Sequence, residues 1–152
     1  MLSLDVVFEG ASAPAPDEAP VLQTLAKKRI WVREVSMSLD GVPCVIARSV
    51  TRLPDSRSTW SGIRSLASRP LADLLYNDRT IKRGSFQSSL ITRGHGIWMA
   101  VRHAGQEKAT PLLARRSVFT RHQRPLVVTE CFLPAFWDLL RRSDKPSRDP
   151  KP

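Results

Sequence analysis

IWVREVSMSLDGVPCVIARSV, from Ile30 to Val50, is the stretch on which the fold turns. From Ile30 to Leu39 the pattern has a period of two, with Trp31, Val35, Met37 and Leu39 in one row. Asp40-Gly41 supplies the dipeptide favoured in tight hairpin turns, and a second apolar run follows from Val42 to Val50. An antiparallel hairpin is predicted. Alternation puts Trp31, Arg33, Val35, Met37 and Leu39 on one face, the core-facing one. Glu34, Ser36 and Ser38 fall on the other, where water makes a charge cheap. Arg33 is therefore the anomaly of this strand.

Upstream, Leu2, Leu4, Val6 and Phe8 share the period of two and predict a first strand. Ala11 to Pro20 carries Pro14, Pro16 and Pro20 and reads as a loop. Val21 to Lys28 has room for about two helical turns at most, in a connecting role. Downstream the period changes. Trp60, Ile63 and Leu66, then Leu71, Leu74 and Leu75, fall at helical intervals and predict two short helices that meet at Pro70. Asp78 to Thr110 is less readable, with a strand expected around Thr80 to Ile91 and an apolar patch at Ile97 to Val101. Leu112 to Thr120 and Leu126 to Leu133 read as two more strands around a polar loop, Arg121 to Arg124. The expected fold is α+β, a mostly antiparallel sheet with a few short helices.

A chain of 152 residues with 41% hydrophobic content suits one domain, expected over residues 1–140, with residues 141–152 as a basic, proline-containing, disordered tail. No run of about 18 apolar residues is present and the N-terminus lacks the marks of a signal peptide, so a cytoplasmic location is expected. The expected assembly is a monomer. Cys44 and Cys131 are too few for a disulfide framework and lack zinc-site spacing, which leaves them as reduced strand residues. Lys and Arg number 24 against 14 Asp and Glu, a net charge of +10 that attracts nucleic acid or small anions. The basic residues are scattered rather than clustered.

A second charge interrupts a strand pattern. Glu130 falls in line with Leu126, Val128 and Phe132, so a carboxylate points where apolar side chains point. Burying either charge alone costs several kcal/mol, so both Arg33 and Glu130 need partners. They either pair with each other or with backbone groups in the core, or form opposite ends of a pocket. In the second case the guanidinium offers a fork to a substrate carboxylate and the glutamate accepts a hydrogen bond from a hydroxyl. Arg115 and Arg116 lie on opposite faces of their strand, and alternation does not decide which one points inward.

Five blocks resemble the chorismate pyruvate-lyase family, in its order and at plausible spacing. They are WVREV at Trp31 to Val35 with the DG turn after it, ARSV at Ala47 to Val50, RPLADLL at Arg69 to Leu75, ARRSVF at Ala114 to Phe119, and PLVVTECFLP at Pro125 to Pro134. They span about two-thirds of the chain, and the last is the most specific. The resemblance implies the elimination of pyruvate from chorismate to leave 4-hydroxybenzoate, the first committed step of ubiquinone synthesis. No cofactor or metal is implied, because aromatisation drives the reaction. By position, the family's substrate-binding arginine falls on Arg33 and the glutamate of its T-E-x-F-L-P block on Glu130, which gives these two the catalytic and substrate-binding roles. A leucine whose backbone N–H meets the ligand falls on Leu71, with Ala72 where the family has glycine. Arg48 matches an arginine near a secondary site on the ligand's way in, or else is a strand-surface arginine held by a neighbouring carboxylate. Nothing in Met1 to Pro20 matches the helical segment that the family carries at its N-terminus, and a pocket open on one side is expected from that.

Two other function classes compete. A binding module without catalysis is one, since effector domains of certain bacterial transcription regulators resemble this fold. A basic nucleic-acid-binding protein is the other, resting on the charge and on Trp31, Trp60, Trp98 and Trp137, although no recognition motif accompanies them and no specific nucleic-acid partner is expected. His95, His103 and His122 lack close metal-ligand spacing, and no nucleophile elbow or phosphate loop is present.

Overall fold

Asp40 and Gly41 both adopt positive φ, 49° and 82°, as a two-residue hairpin turn of the type that matches strand twist requires. Around this turn stand β2 (Ile30–Leu39) and β3 (Val42–Arg52), paired antiparallel with Arg33 opposite Ser49 and Val35 opposite Ala47. The computed structural model describes residues 1–109 and 111–145. A second tight hairpin joins β6 (Leu113–Arg121) to β7 (Arg124–Phe132). Only His122 and Gln123 form its turn, at φ 48° and 63°. Both strands thus run into the stretch expected as a loop.

The remaining strands are β1 (Leu2–Ser12), β4 (Lys82–Arg83) and β5 (Gln87–Leu90). All seven join one antiparallel sheet in the order β1-β2-β3-β7-β6-β4, and β5 also pairs with β6. The single strand expected from Thr80 to Ile91 is two short ones interrupted at Gly84 to Phe86. Among the described residues three α-helices complete the fold: α1 (Ala72–Leu75), α2 (Gly96–His103) and α3 (Pro134–Ser143). The α+β architecture is as expected. The two helical pieces around Pro70 are a 3-10 turn at Ser61–Ser65 and the single turn of α1. The apolar patch at Ile97 to Val101 is the buried side of α2. The helix α3 continues through Arg141 to Ser143, three residues into the expected tail, and residues 146–152 lie outside the described residues.

Both faces of the sheet are covered. On one, Trp60, Ile63, Leu66 and Leu75 pack against Phe119 and Leu126. On the other, Ile97, Ala100 and Val101 of α2 pack against Ile46, Ala114 and Cys131, and Leu22 packs against Ile30, Val32 and Val127. The residues around Leu22 form turns without a helix, and they do more than connect.

This double cover overturns one expectation. Glu34 is not in water: it is fully buried, because the face opposite Arg33 lies beneath α2 and the segment near Leu22. Arg48 from β3 meets it there, donating from Nη1 to Glu34 Oε2 at 2.9 Å. Its Nε and Nη2 form a fork to Glu18 at 2.7 and 2.8 Å. His103 at the end of α2 touches the other oxygen of Glu34, and its ring stacks on Phe8 at 5.5 Å. Phe8 reaches that side because β1 carries a bulge between Val6 and Phe8. Leu4 and Val6 pair opposite Met37 and Val35, whereas Phe8 pairs opposite Glu34, so the four apolar residues of β1 do not share a face.

Gly96 opens α2 where the chain passes closest to this cluster. Its N–H donates to Asp17 Oδ1 at 2.9 Å, and a Cβ at this position would collide with the carboxylate of Glu18. Gly96→Ala must therefore push Glu18 away from Arg48. We expect a loss of about 1–3 kcal/mol from overpacking, read as a lower urea midpoint at unchanged slope. An unaltered midpoint would mean that Glu18 can move freely.

Candidate active site

Three small side chains leave a hollow in the middle of the first face. Ala47 and Ser49 of β3 and Ser117 of β6 occupy central positions where larger residues would fill the space. The cavity above them measures about 210 Å³, a size that suits a small molecule. Pro70, Leu71 and Leu75 wall it on one side, and Arg83, at the end of β4, and Phe86, on the interruption before β5, wall it on another.

Arg33 and Glu130 both reach this cavity, and they do not pair with each other. Arg33 is 2% exposed, and its Nη2 donates to the carbonyls of Ala67 and Arg69 at 3.1 and 2.8 Å, while its Nε has no partner. Among the described residues it makes no ion pair with a carboxylate. Burial pushes its guanidinium below the usual value, offset in part by Glu9, which pairs opposite it on β1; burial in turn raises Glu9 above the usual carboxylate range. Arginine stays charged through such shifts, so the cavity has a buried cation that no carboxylate of the described residues contacts as an ion pair. Two strand spacings, about 10 Å, separate β2 from β7, and Glu130 lies on the far side, one row along from Arg33.

Glu130 is partly buried and accepts from Arg115 Nε at 3.2 Å, directly across the β6–β7 pair. This settles which arginine of the pair points inward: Arg115 lines the cavity, and Arg116 leaves the other face toward Asp17 and Gln87. Leu71 also lines the cavity, at the start of α1. Ala72 is the first residue of that helix and needs no positive φ, so alanine fits where a glycine was the expectation of the resemblance.

Arg48 is placed elsewhere. Alternation along β3 turns it to the face opposite the cavity, where both its forked ends are taken by Glu18 and Glu34 at 4% exposure. A role on the ligand's way in has no access from there. A carboxylate does hold it, as the other expectation had it, though in the core and not on the surface. Cys131 also faces α2, and burial pushes its thiol up to about 12, which makes it inert as a nucleophile. Trp60 is buried with its Nε1 donating to the Arg124 carbonyl, and Trp31 lies under the guanidinium of Arg64, so neither offers a stacking surface to nucleic acid. No helix among the described residues is long and apolar enough to cross a membrane, and none of their His, Cys, Asp and Glu side chains gather in threes as metal ligands do.

Two cavity residues escaped the sequence reading, Arg83 and Phe86. Their stretch is interrupted and shows no period. The small residues Ala47, Ser49 and Ser117 were a usable signal, since they alternate on the same face as Arg33 or Glu130.

Residues 1–142 match the sequence profile described as chorismate lyase. A protein of Bordetella pertussis named "Probable chorismate pyruvate-lyase" is 45% identical over 141 residues, 91% of this chain and 74% of that one. One of Pseudomonas fluorescens, "Probable chorismate pyruvate-lyase 1", is 43% identical over 136 residues, 89% and 72% of the two chains. Among solved structures, the C-terminal domain of PhnF superposes with a TM-score of 0.64 at 11% identity, covering 86% of this chain and 82% of that one. The C-terminal domain of the histidine utilization repressor of Pseudomonas syringae does so at 0.56 and 11%, covering 99% and 100%. At such identities the likeness is one of fold.

Proposed function

Since the chain belongs to the chorismate lyase family, we propose that it converts chorismate to 4-hydroxybenzoate and pyruvate, with the cavity above Ala47 and Ser49 as the active site. The observation that carries this reading is the buried guanidinium of Arg33, which faces the cavity with no carboxylate of its own. A ring carboxylate supplies that missing anion. Glu130, across the cavity, accepts the hydrogen bond of the hydroxyl on ring carbon 4, para to the carboxylate. The N–H of Leu71 is a further donor at the cavity wall.

Held this way, the substrate loses its ether bond at ring carbon 3 and the proton at carbon 4. The ring becomes aromatic, and the departing enolpyruvyl unit ends as pyruvate once its methylene carbon has gained a proton. Aromatisation supplies the driving force, so the protein's part is positioning and electrostatics, and no cofactor is required by this chemistry. The reading brings with it a cytoplasmic place at the head of ubiquinone synthesis.

Incubation of the purified chain with chorismate and a chelator is expected to release 4-hydroxybenzoate and pyruvate in equal amounts, followed by chromatography. Absence of both would refute the reading. The fold shared with regulator C-terminal domains favours one alternative, a module that binds aromatic acids without catalysis; its signature is thermal stabilisation by 4-hydroxybenzoate with no turnover. Glu130→Ala is expected to lower kcat/KM about 100-fold, within the range for loss of one hydrogen-bonding group in a preorganised site, while the melting temperature stays within a few degrees of the parent. Turnover at the parent's rate would remove Glu130 from the site.

A further inference from the structure

We propose that Arg115, together with Arg83, which also lies against Phe86, binds the enolpyruvyl carboxylate of chorismate, making this a site for dianions. The inference rests on the lyase reading and adds to it the recognition of the substrate's second charge.

Charge balance is the first argument. The charged side chains that line the cavity are Arg33, Arg83, Arg115 and Glu130, a formal sum of +2. Chorismate carries two carboxylates, whereas 4-hydroxybenzoate carries one. Arg33 accounts for the ring carboxylate alone, which leaves two arginines against a single glutamate.

Placement is the second. The enolpyruvyl ether leaves ring carbon 3, next to the carbon-4 hydroxyl that Glu130 holds, so its carboxylate must lie beside Glu130. Arg115 is there, 3.2 Å from Glu130 through Nε, with the rest of its fork free of any other ion pair among the described residues. Its guanidinium also sits over Phe86 at 4.4 Å and near Phe132 at 5.4 Å, and Arg83 sits over Phe86 at 4.6 Å. One exposed phenylalanine thus has two cations against its ring, and they repel each other. An anion between them relieves that repulsion.

The third argument is the gradient of exposure. Arg33 is closed off at the inner end, whereas the Arg115 side chain is 41% exposed. The part of the substrate that leaves as a small anion therefore lies at the mouth, and the ring carboxylate lies deepest. Once pyruvate has gone, the ring product keeps the inner anchor and its hydroxyl contact with Glu130, and has nothing left to offer the arginines at the mouth.

The test compares two ligands that do not react, 4-hydroxybenzoate and its dianionic derivative 3-carboxymethoxy-4-hydroxybenzoate, by calorimetry on the parent, Arg83→Met and Arg115→Met. The parent is expected to bind the dianion at least tenfold more tightly. That ratio should fall to threefold or less in each variant, while Arg83→Met binds 4-hydroxybenzoate within twofold of the parent. Because Arg115 also touches Glu130, its removal shifts both ligands, and only the ratio reports the second carboxylate. A parent that does not prefer the dianion, or variants that keep the full preference, would overturn the inference. The lyase reading stands or falls separately, on release of pyruvate from chorismate by the parent.

Discussion

Arg33→Met should lose about 100- to 1,000-fold in kcat/KM for chorismate and no longer be stabilised by 4-hydroxybenzoate, yet melt within a few degrees of the parent. The activity loss follows from taking away a buried, charged donor, since one preorganised donor is worth about that factor. The stability result is the less obvious half. A buried guanidinium without a carboxylate carries a desolvation cost of several kcal/mol, and methionine, of similar length, removes it. Against that stand the two hydrogen bonds to the carbonyls of Ala67 and Arg69, each worth about 1.5–3 kcal/mol when a charge is involved. The opposing contributions are similar in size. A large drop in melting temperature would make Arg33 a structural tie for the 67–69 loop, and kcat/KM within threefold of the parent would remove it from the reaction.

Arg48→Met is expected to act in the opposite sense, with a large loss of stability and none of chemistry. It strands Glu18 and Glu34, 4% and 0% exposed, with no cation between them. Removal of one partner from a buried ion pair costs about 3–5 kcal/mol, which for a chain of this length lowers the melting temperature by about 10 °C. Replacing both carboxylates as well, in Glu18→Gln and Glu34→Gln on the Arg48→Met background, should recover most of the loss, because uncompensated charge is the cause. At a temperature where that triple variant is folded, kcat/KM should match the parent, since the sheet stands between Arg48 and the cavity. A folded triple variant with kcat/KM ten times lower would return Arg48 to the path of the ligand.

The same pair of residues shows where sequence reasoning reached and where it stopped. Arg33 and Arg48 are both arginines within strands of alternating pattern, and both are buried. Alternation placed Arg33 toward apolar neighbours correctly, because side-chain direction along one strand is a local property. It gave no access to the partner of Arg48, because Glu18 lies 30 residues away in a loop without a period. Glu34 was misread for a related reason. One apolar face was taken to imply one wet face, but α2 and the turns near Leu22 cover the second. Helical spacing at Ile97, Ala100 and Val101 was present, yet Gly94 to Gly96 interrupts the approach and the helix is only eight residues long.

Two strand details escaped for the same physical cause. The bulge in β1 reverses side-chain direction after Val6, and no residue type there announces it. Arg115 and Arg116 are equivalent to any reading of their own strand. Only the pairing of Arg115 with Glu130 across β7 decides that the first faces the cavity.

By itself, then, the sequence determined what depends on neighbours along the chain: the Asp40-Gly41 hairpin, the longer strands, the α+β class, the family blocks, and the inward direction of Arg33 and Glu130. Tertiary structure decided what covers each face of the sheet, which buried charges are neutralised, and which one is left for a ligand. Those outcomes depend on groups brought together from distant parts of the chain, and the low-dielectric setting that gives them their energetic weight exists only once the sheet has been covered on both sides.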